Sequence, residues 1–197
     1  MKDIIKTGIV LLIIGAVAAV ALGLTNEFTY DKIQEQRRIA SEQARIAVLP
    51  TANTFASATE DEISKISSQF EIVSEAYVGL DASGNVVGYV IKSTPSGFSG
   101  EVEVVTGVSL DGLVTGLRVG THNETPGLGA KATDAAFFDQ YTGLSTEAEI
   151  GVTKTPASGN DIQAITGATI TSAAVTDGAN ISIQAVRWIV ENGGIGN

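Results

Sequence analysis

The chain has no cysteine, a single histidine (His122), a single tryptophan (Trp188) and only four prolines in 197 residues. Without thiols there can be no disulfide, thiolate zinc site, cysteine-held iron–sulfur cluster or thioether-linked haem. His122 has no neighbouring set of carboxylates at ligand spacing, so no metal centre is expected, and by itself it reads as an ordinary loop residue. Positive charge is also scarce, with 12 Lys and Arg against 22 Asp and Glu, for a net charge of −10. A surface this acidic repels nucleic acid and anionic lipid and otherwise needs no explanation beyond solubility. No side chain stands out as catalytic. A chain so poor in reactive groups borrows its chemistry from a bound group.

Charge is missing entirely from Thr7 to Asn26, and Gly8 to Leu24 holds only Gly, Ala, Val, Leu and Ile. About twenty helical residues rise about 30 Å, the thickness of a bilayer's hydrocarbon core. A cleaved signal peptide is the rival reading, with Lys2 and Lys6 as its basic end and Ala16-Val17-Ala18 or Ala19-Val20-Ala21 as its cleavage site. The length of the run, and its continuation into a helical pattern, favour a retained anchor. Lys2 and Lys6 favour a cytoplasmic N-terminus with the rest of the chain outside the cell membrane, although Lys32, Arg37 and Arg38 lie on the other flank.

Residues 1–26 are thus an expected anchor, 27–76 a helical stalk and linker, and 77–197 the main domain. From Asn26 to Val48 the apolar positions Ile33, Ala40, Ala44 and Ala47 share a face, and Pro50 ends the helix. Residues 51–76 read as a loop and a short helix. Tyr77–Leu80 and Val86–Ile91 flank the turn Asp81–Asn85, and Glu101–Leu110 and Leu113–Val119 flank Asp111-Gly112, giving two hairpins. They are joined by the Ser/Gly-rich link Ser93–Gly100. Ala132–Tyr141 is expected to be one helix, with Phe137, Phe138 and Tyr141 in the core rather than against a ligand. Ser172–Glu191 is expected to be another, burying Val175, Ala179, Ile183, Val186 and Val190, with Trp188 as packing or an interface anchor; Asn192-Gly193-Gly194 stops it. Strands followed by helices, without βα alternation, predict an α+β fold of antiparallel hairpins and packed helices behind a single N-terminal transmembrane helix.

Two short segments could carry function. In Thr166-Gly167-Ala168-Thr169-Ile170-Thr171-Ser172, Gly167 permits a sharp turn, and Thr171 or Ser172 is expected to cap the helix that follows. The unbonded first-turn amides would hold a phosphate at the positive end of the dipole, near the Thr169 hydroxyl. On spacing alone this is a turn and a cap able to bind an anion. In Glu124-Thr125-Pro126-Gly127-Leu128-Gly129-Ala130, Pro126 fixes one dihedral, while Gly127 and Gly129 allow close backbone approach to a flat ligand. Glu124 and Thr125 could bond that ligand's polar edge; a structural turn is the alternative.

Thr166-Gly167-Ala168-Thr169 resembles the flavinylation motif of the FMN-binding domain family. That resemblance implies FMN held by a phosphoester on Thr169, attached by a separate flavin transferase with FAD as donor. The family pattern has an acidic residue three positions before the first Thr; this chain has Gln163 there and Asp161 two further back. Together with Glu124–Ala130 and the apolar N-terminus, the motif is similar to the G subunits of Rnf electron-transport complexes, relatives of the C subunit of sodium-pumping NADH:quinone reductase. The resemblance implies a cofactor contact at Glu124, Thr125, Gly127, Leu128 and Gly129. It also implies other membrane subunits as partners, and a relay role in coupling ferredoxin:NAD⁺ oxidoreduction to movement of Na⁺ or H⁺. Such a protein would turn over no substrate alone. A free-standing extracytoplasmic flavoprotein reductase and a pilin-like anchored protein are the alternatives; the pilin reading lacks a glutamate near the start of the apolar run and a prepilin-like cleavage site.

Overall fold

The computed structural model describes residues 2–195, which divide into two compact units between Glu42 and Gln43. A single helix, α1 (Lys2–Val48), supplies the described residues of the first and continues to Val48 in the second. In the first unit α1 is long and apolar enough to cross a membrane, and its leucines, isoleucines and valines from Ile4 to Leu24 are bare. Thr25 and Thr29 donate their hydroxyls to the carbonyls of Ala21 and Thr25, four residues back, so neither polar group lacks a partner in an apolar setting. Past the apolar run, Arg38 bridges Glu35 and Glu42 at helical spacing.

The second unit is built on an antiparallel sheet in simple meander order: β1 (Thr54–Ser57), β2 (Val73–Leu80), β3 (Val86–Ser93), β4 (Val102–Ser109) and β5 (Val114–His122). The two hairpins fall where the turn residues place them, and Gly84 and Gly112 take the positive φ values, 83° and 75°, that these turns need. Residues 51–76 hold more than a loop and a helix. β1 pairs with β2, and α2 (Glu60–Gln69) follows, opened by a capping box in which the Thr59 N–H donates to Glu62 Oε2 at 2.7 Å. The expected helix over 132–141 is broken into a 3₁₀ turn (Gly129–Thr133), α3 (Ala135–Phe138) and a second 3₁₀ turn (Asp139–Tyr141). A small parallel pair, β6 (Gly151–Thr153) and β7 (Asp161–Gln163), precedes the long helix α4 (Thr169–Glu191).

Alternation along β3 and β4 builds two cores, one on each face of the sheet. Tyr89, Ile91, Val102, Val104 and Val108 face α4, which buries Val175, Ala179, Ile183 and Val186 among them; Val190, expected on that face, points to solvent. Tyr141 is wholly buried beside Phe137, ring centres 5.8 Å apart and edge to face. Its hydroxyl donates to Thr176 Oγ1 at 2.7 Å, because the Thr176 proton goes to the Ser172 carbonyl. On the other face, Val48 and Leu49 cover Val90 and Val105.

That second core rests on a floor of glycines. Gly79 pairs with Gly88, and Gly107 with Gly116. A Cβ on Gly107 would strike the Val48 carbonyl, one on Gly116 would lie 3.0 Å from Val48 Cα, and one on Gly79 would strike the Leu49 side chain. Bare backbone therefore lets the end of α1 settle onto the sheet, where the Thr115 hydroxyl donates to the Val48 carbonyl.

Candidate functional site

The start of α4 is set by backbone rather than by a capping side chain. Gly167 takes φ 80°, Ala168 is the N-cap with no side-chain hydrogen bond, and Thr169 is the first helical residue. Thr171 and Ser172, expected as caps, are already inside the helix and buried. Ser172 Oγ instead accepts from the Ile165 N–H at 2.9 Å and donates to the Ala168 carbonyl at 3.0 Å, stitching the approach loop from beneath. Thr171 Oγ1 donates to Glu124 Oε2 at 2.5 Å. With both hydroxyls turned inward, Thr169 is left exposed on the first turn, beside amides that have no intrahelical carbonyl to bond.

The second segment folds as its residues require. The Leu128 N–H donates to the Thr125 carbonyl at 3.1 Å across Pro126-Gly127, with Gly127 at φ 78°, a type II pattern. Gly127 therefore serves the turn. Gly129 serves packing, since a Cβ there would strike the Glu124 carboxylate and lie 2.6 Å from Thr171 Oγ1. Glu124 is buried, with Oε1 accepting from the Ser99 N–H at 2.8 Å and Oε2 from Thr171. Burial pushes its carboxyl up, but the Ser99 N–H, the Thr171 hydroxyl, the Phe98 N–H and nearby His122 outweigh it, so the group stays below the ordinary glutamate range. His122 itself holds the turn, its Nδ1 accepting from the Glu124 N–H at 3.2 Å.

These pieces enclose a cavity of about 350 Å³. Glu124, Thr125, Leu128 and Gly129 line one side, Gly167, Ala168, Thr169, Ile170 and Thr171 the other, and Phe98 completes it. Thr166 and Gly127 stand outside the lining, and Ser172 lies beneath it. Phe98 comes from the link that read only as Ser/Gly-rich, and nothing in that pattern marked its aromatic ring. Phe98, Leu128 and Ile170 remain 67%, 44% and 57% exposed, an apolar rim around the Thr169 hydroxyl. Phe137 and Tyr141 belong to the core, and Phe138 lies under the Arg118 guanidinium at 4.1 Å. Gln163 sits on β7, where the Gln140 amide brackets its backbone, accepting from its N–H at 2.7 Å and donating to its carbonyl at 3.3 Å. Among the described residues, no three His, Asp or Glu side chains are grouped to hold a metal.

The FMN-binding domain model matches residues 97–184, which contain the whole cavity lining, and the RnfG N-terminal region model matches residues 1–48. The G subunit of the Na⁺-translocating ferredoxin:NAD⁺ oxidoreductase complex of Acetobacterium woodii is 47% identical over 94% of this chain and 93% of its own length. The chain belongs to the RnfG family, the G subunits of Rnf complexes. A further member, the G subunit of the ion-translocating oxidoreductase complex of Methanosarcina acetivorans, is 35% identical over 94% of this chain and 95% of its own. The same fold occurs in crystal structures of the C subunit of the Na⁺-translocating NADH-quinone reductase of Parabacteroides distasonis and of Shewanella oneidensis NqrC. Their TM-scores are 0.52 and 0.51 at 19% and 18% identity, covering 68% and 76% of this chain and 75% and 74% of theirs. The apolar helix fits a membrane-anchored member of this family, and the cavity fits FMN. Its volume is in the range of small-ligand sites, its rim is apolar enough for a flat ring, and a helix N-terminus borders it where a phosphate needs amides.

Proposed function

We propose that this chain is a membrane-anchored electron carrier whose FMN is joined by a phosphoester to Thr169, relaying electrons inside an Rnf-type complex. The observation that carries this reading is the exposed Thr169 hydroxyl on the first turn of α4, at the rim of an apolar cavity inside an FMN-binding domain. Attachment would transfer the whole FMN moiety of FAD: the Thr169 oxygen bonds the FMN phosphorus as the pyrophosphate bond breaks, AMP leaves, and the hydroxyl proton goes to solvent or to the transferase. FMN, when bound, supplies the redox chemistry, accepting and passing on electrons.

The chain's own residues hold and shield it. Thr169 tethers the phosphate beside the first-turn amides, Gly167 lets the backbone turn away from it, and Phe98, Leu128 and Ile170 keep water from the ring. Residues 1–26 anchor the chain with its N-terminus in the cytoplasm, and the sheet unit that begins at Gln43, earlier than the expected 77–197, holds the flavin outside. Other membrane proteins of the complex are the electron partners, and the flavin transferase is a partner during maturation. The complex, like that of the A. woodii relative by its name, couples ferredoxin:NAD⁺ oxidoreduction to ion translocation.

The test is co-expression with a flavin transferase and ultraviolet inspection of a denaturing gel. Wild type should fluoresce, and Thr169→Ala should not while remaining folded. A colourless wild type beside an active transferase would sink the covalent reading.

A further inference from the structure

The loop that carries Phe98 is held at its base and at its tip by different means. At the base, Ser93 Oγ donates to the Gly178 carbonyl of α4 at 3.2 Å, and Gly178 is bare because Pro95 Cγ would lie 3.0 Å from a Cβ there. The Val102 N–H donates to the Pro95 carbonyl at 2.9 Å and closes the neck. Beyond the neck the loop is Ser96-Gly97-Phe98-Ser99-Gly100, with little apolar surface to pack apart from the exposed ring itself. The Gly97 N–H closes the tip on itself by donating to the Gly100 carbonyl at 2.7 Å, and the Glu124 carboxylate ties that closed turn to the cavity. It receives the Ser99 N–H, and it fits there because Gly97 has no Cβ, which would lie 2.6 Å from Oε1. Its other oxygen receives Thr171 Oγ1 from the first turn of α4. One buried carboxylate thus ties the two sides of the cavity together, Phe98 on one and Thr169 and Ile170 on the other.

We propose that Phe98 is the aromatic wall against which the flavin ring packs, and that Glu124 is the positioning residue that holds this wall in place. The proposal rests on FMN seated at Thr169. Glu124 acts through the loop: with both oxygens engaged by protein donors, its work is to fix Phe98 across from the tether. A rigid aromatic face opposite a tethered ring limits the ring's swing and keeps it from water.

The test uses the full chain in detergent, with and without flavin. In loaded protein, attachment is scored first on a denaturing gel, and the anisotropy of flavin emission is then compared before and after unfolding. A wall opposite the tether restrains the ring, so wild-type anisotropy should be high and fall on unfolding. Phe98→Ala and Glu124→Ala should each lower native anisotropy toward the unfolded level, the double variant should go no further than the larger single, and Glu124→Gln, which keeps an acceptor for Ser99, should stay close to wild type. Glu124→Ala with wild-type anisotropy would overturn the positioning role, and Phe98→Ala with wild-type anisotropy would overturn the wall.

In unloaded protein, chymotryptic cleavage after Phe98 should be about tenfold faster in Glu124→Ala, as expected for losing a charge-assisted hydrogen bond that holds the loop closed. Equal rates would overturn the clamp. If Glu124→Ala does not fold, Thr171→Val loosens the same tie and is scored the same way. A wild type that takes up no flavin defeats the flavin reading and the wall with it, while the cleavage rates still decide the clamp.

Discussion

Thr171→Val separates the hydrogen bond from the shape of the side chain. Thr171 is 1% exposed, and its hydroxyl reaches Glu124 Oε2 at 2.5 Å, so valine fills nearly the same volume but offers a methyl to an ionised oxygen. Hydrogen bonds to charged groups contribute about 1.5–3 kcal/mol, and Glu124 keeps its bond from the Ser99 N–H, so the loss should be about 2 kcal/mol. For a unit of this size that lowers Tm by about 4–8 °C. The pH dependence gives a second check. Glu124 is depressed in the folded state, so its contribution is complete above pH 4.5, the ordinary glutamate value, and is lost as pH falls through the folded value. The variant has less depression to lose, so its gap from wild type should narrow in acid. Thermal unfolding followed by the half-buried Trp188, at neutral pH and again below pH 4.5, measures both. A Tm drop of less than about 2 °C at neutral pH, against the magnitude above, or a gap that stays constant into acid, would refute the reasoning.

Tyr141→Phe removes a hydroxyl donated to Thr176 Oγ1 in the core and should cost about 1 kcal/mol by urea titration. Burial pushes the Tyr141 phenol well above its usual range, so its contribution to stability is complete below the unfolded tyrosine value and is lost as pH rises through the folded one. The Phe variant should therefore show a weaker alkaline loss of stability than wild type. Gly107→Ala drives a Cβ into the Val48 carbonyl and should cost about 1–3 kcal/mol as overpacking, whereas Gly84→Ala, with open space around it, should cost only the strain of its positive φ. Equal effects in the two would mean that the glycine floor is not closely packed.

Much of the fold was legible because its signals are local. Asp81–Asn85 and Asp111-Gly112 sit between runs rich in β-branched residues, and Asn192-Gly193-Gly194 ends α4 with two glycines at positive φ. β1 escaped notice because four residues with one aromatic, Phe55, carry too little periodicity, and only the pairing with β2 makes them a strand. Thr171 and Ser172 look like caps because hydroxyls just ahead of an apolar run usually are. Here their partners are a carboxylate 47 residues away in sequence and the Ile165 amide, and no local pattern encodes the first of these. The lining of the cavity was legible on both motif segments, Glu124, Thr125, Leu128 and Gly129 on one and Gly167, Ala168, Thr169 and Thr171 on the other. It was not legible at Phe98, whose place in the cavity depends on how Glu124 holds a loop from a different part of the chain.

The glycines beneath Val48 and Leu49 decide where the head could be cut from its apolar helix. A fragment beginning at Pro50 would uncover a strip of naked backbone flanked by Val90 and Val105 and leave the Thr115 hydroxyl without its acceptor. One beginning at Gln43 would carry its own lid. The last turn and a half or so of α1 is thus shared property, apolar helix by continuity and head domain by packing, and the seam between the two lies inside the helix.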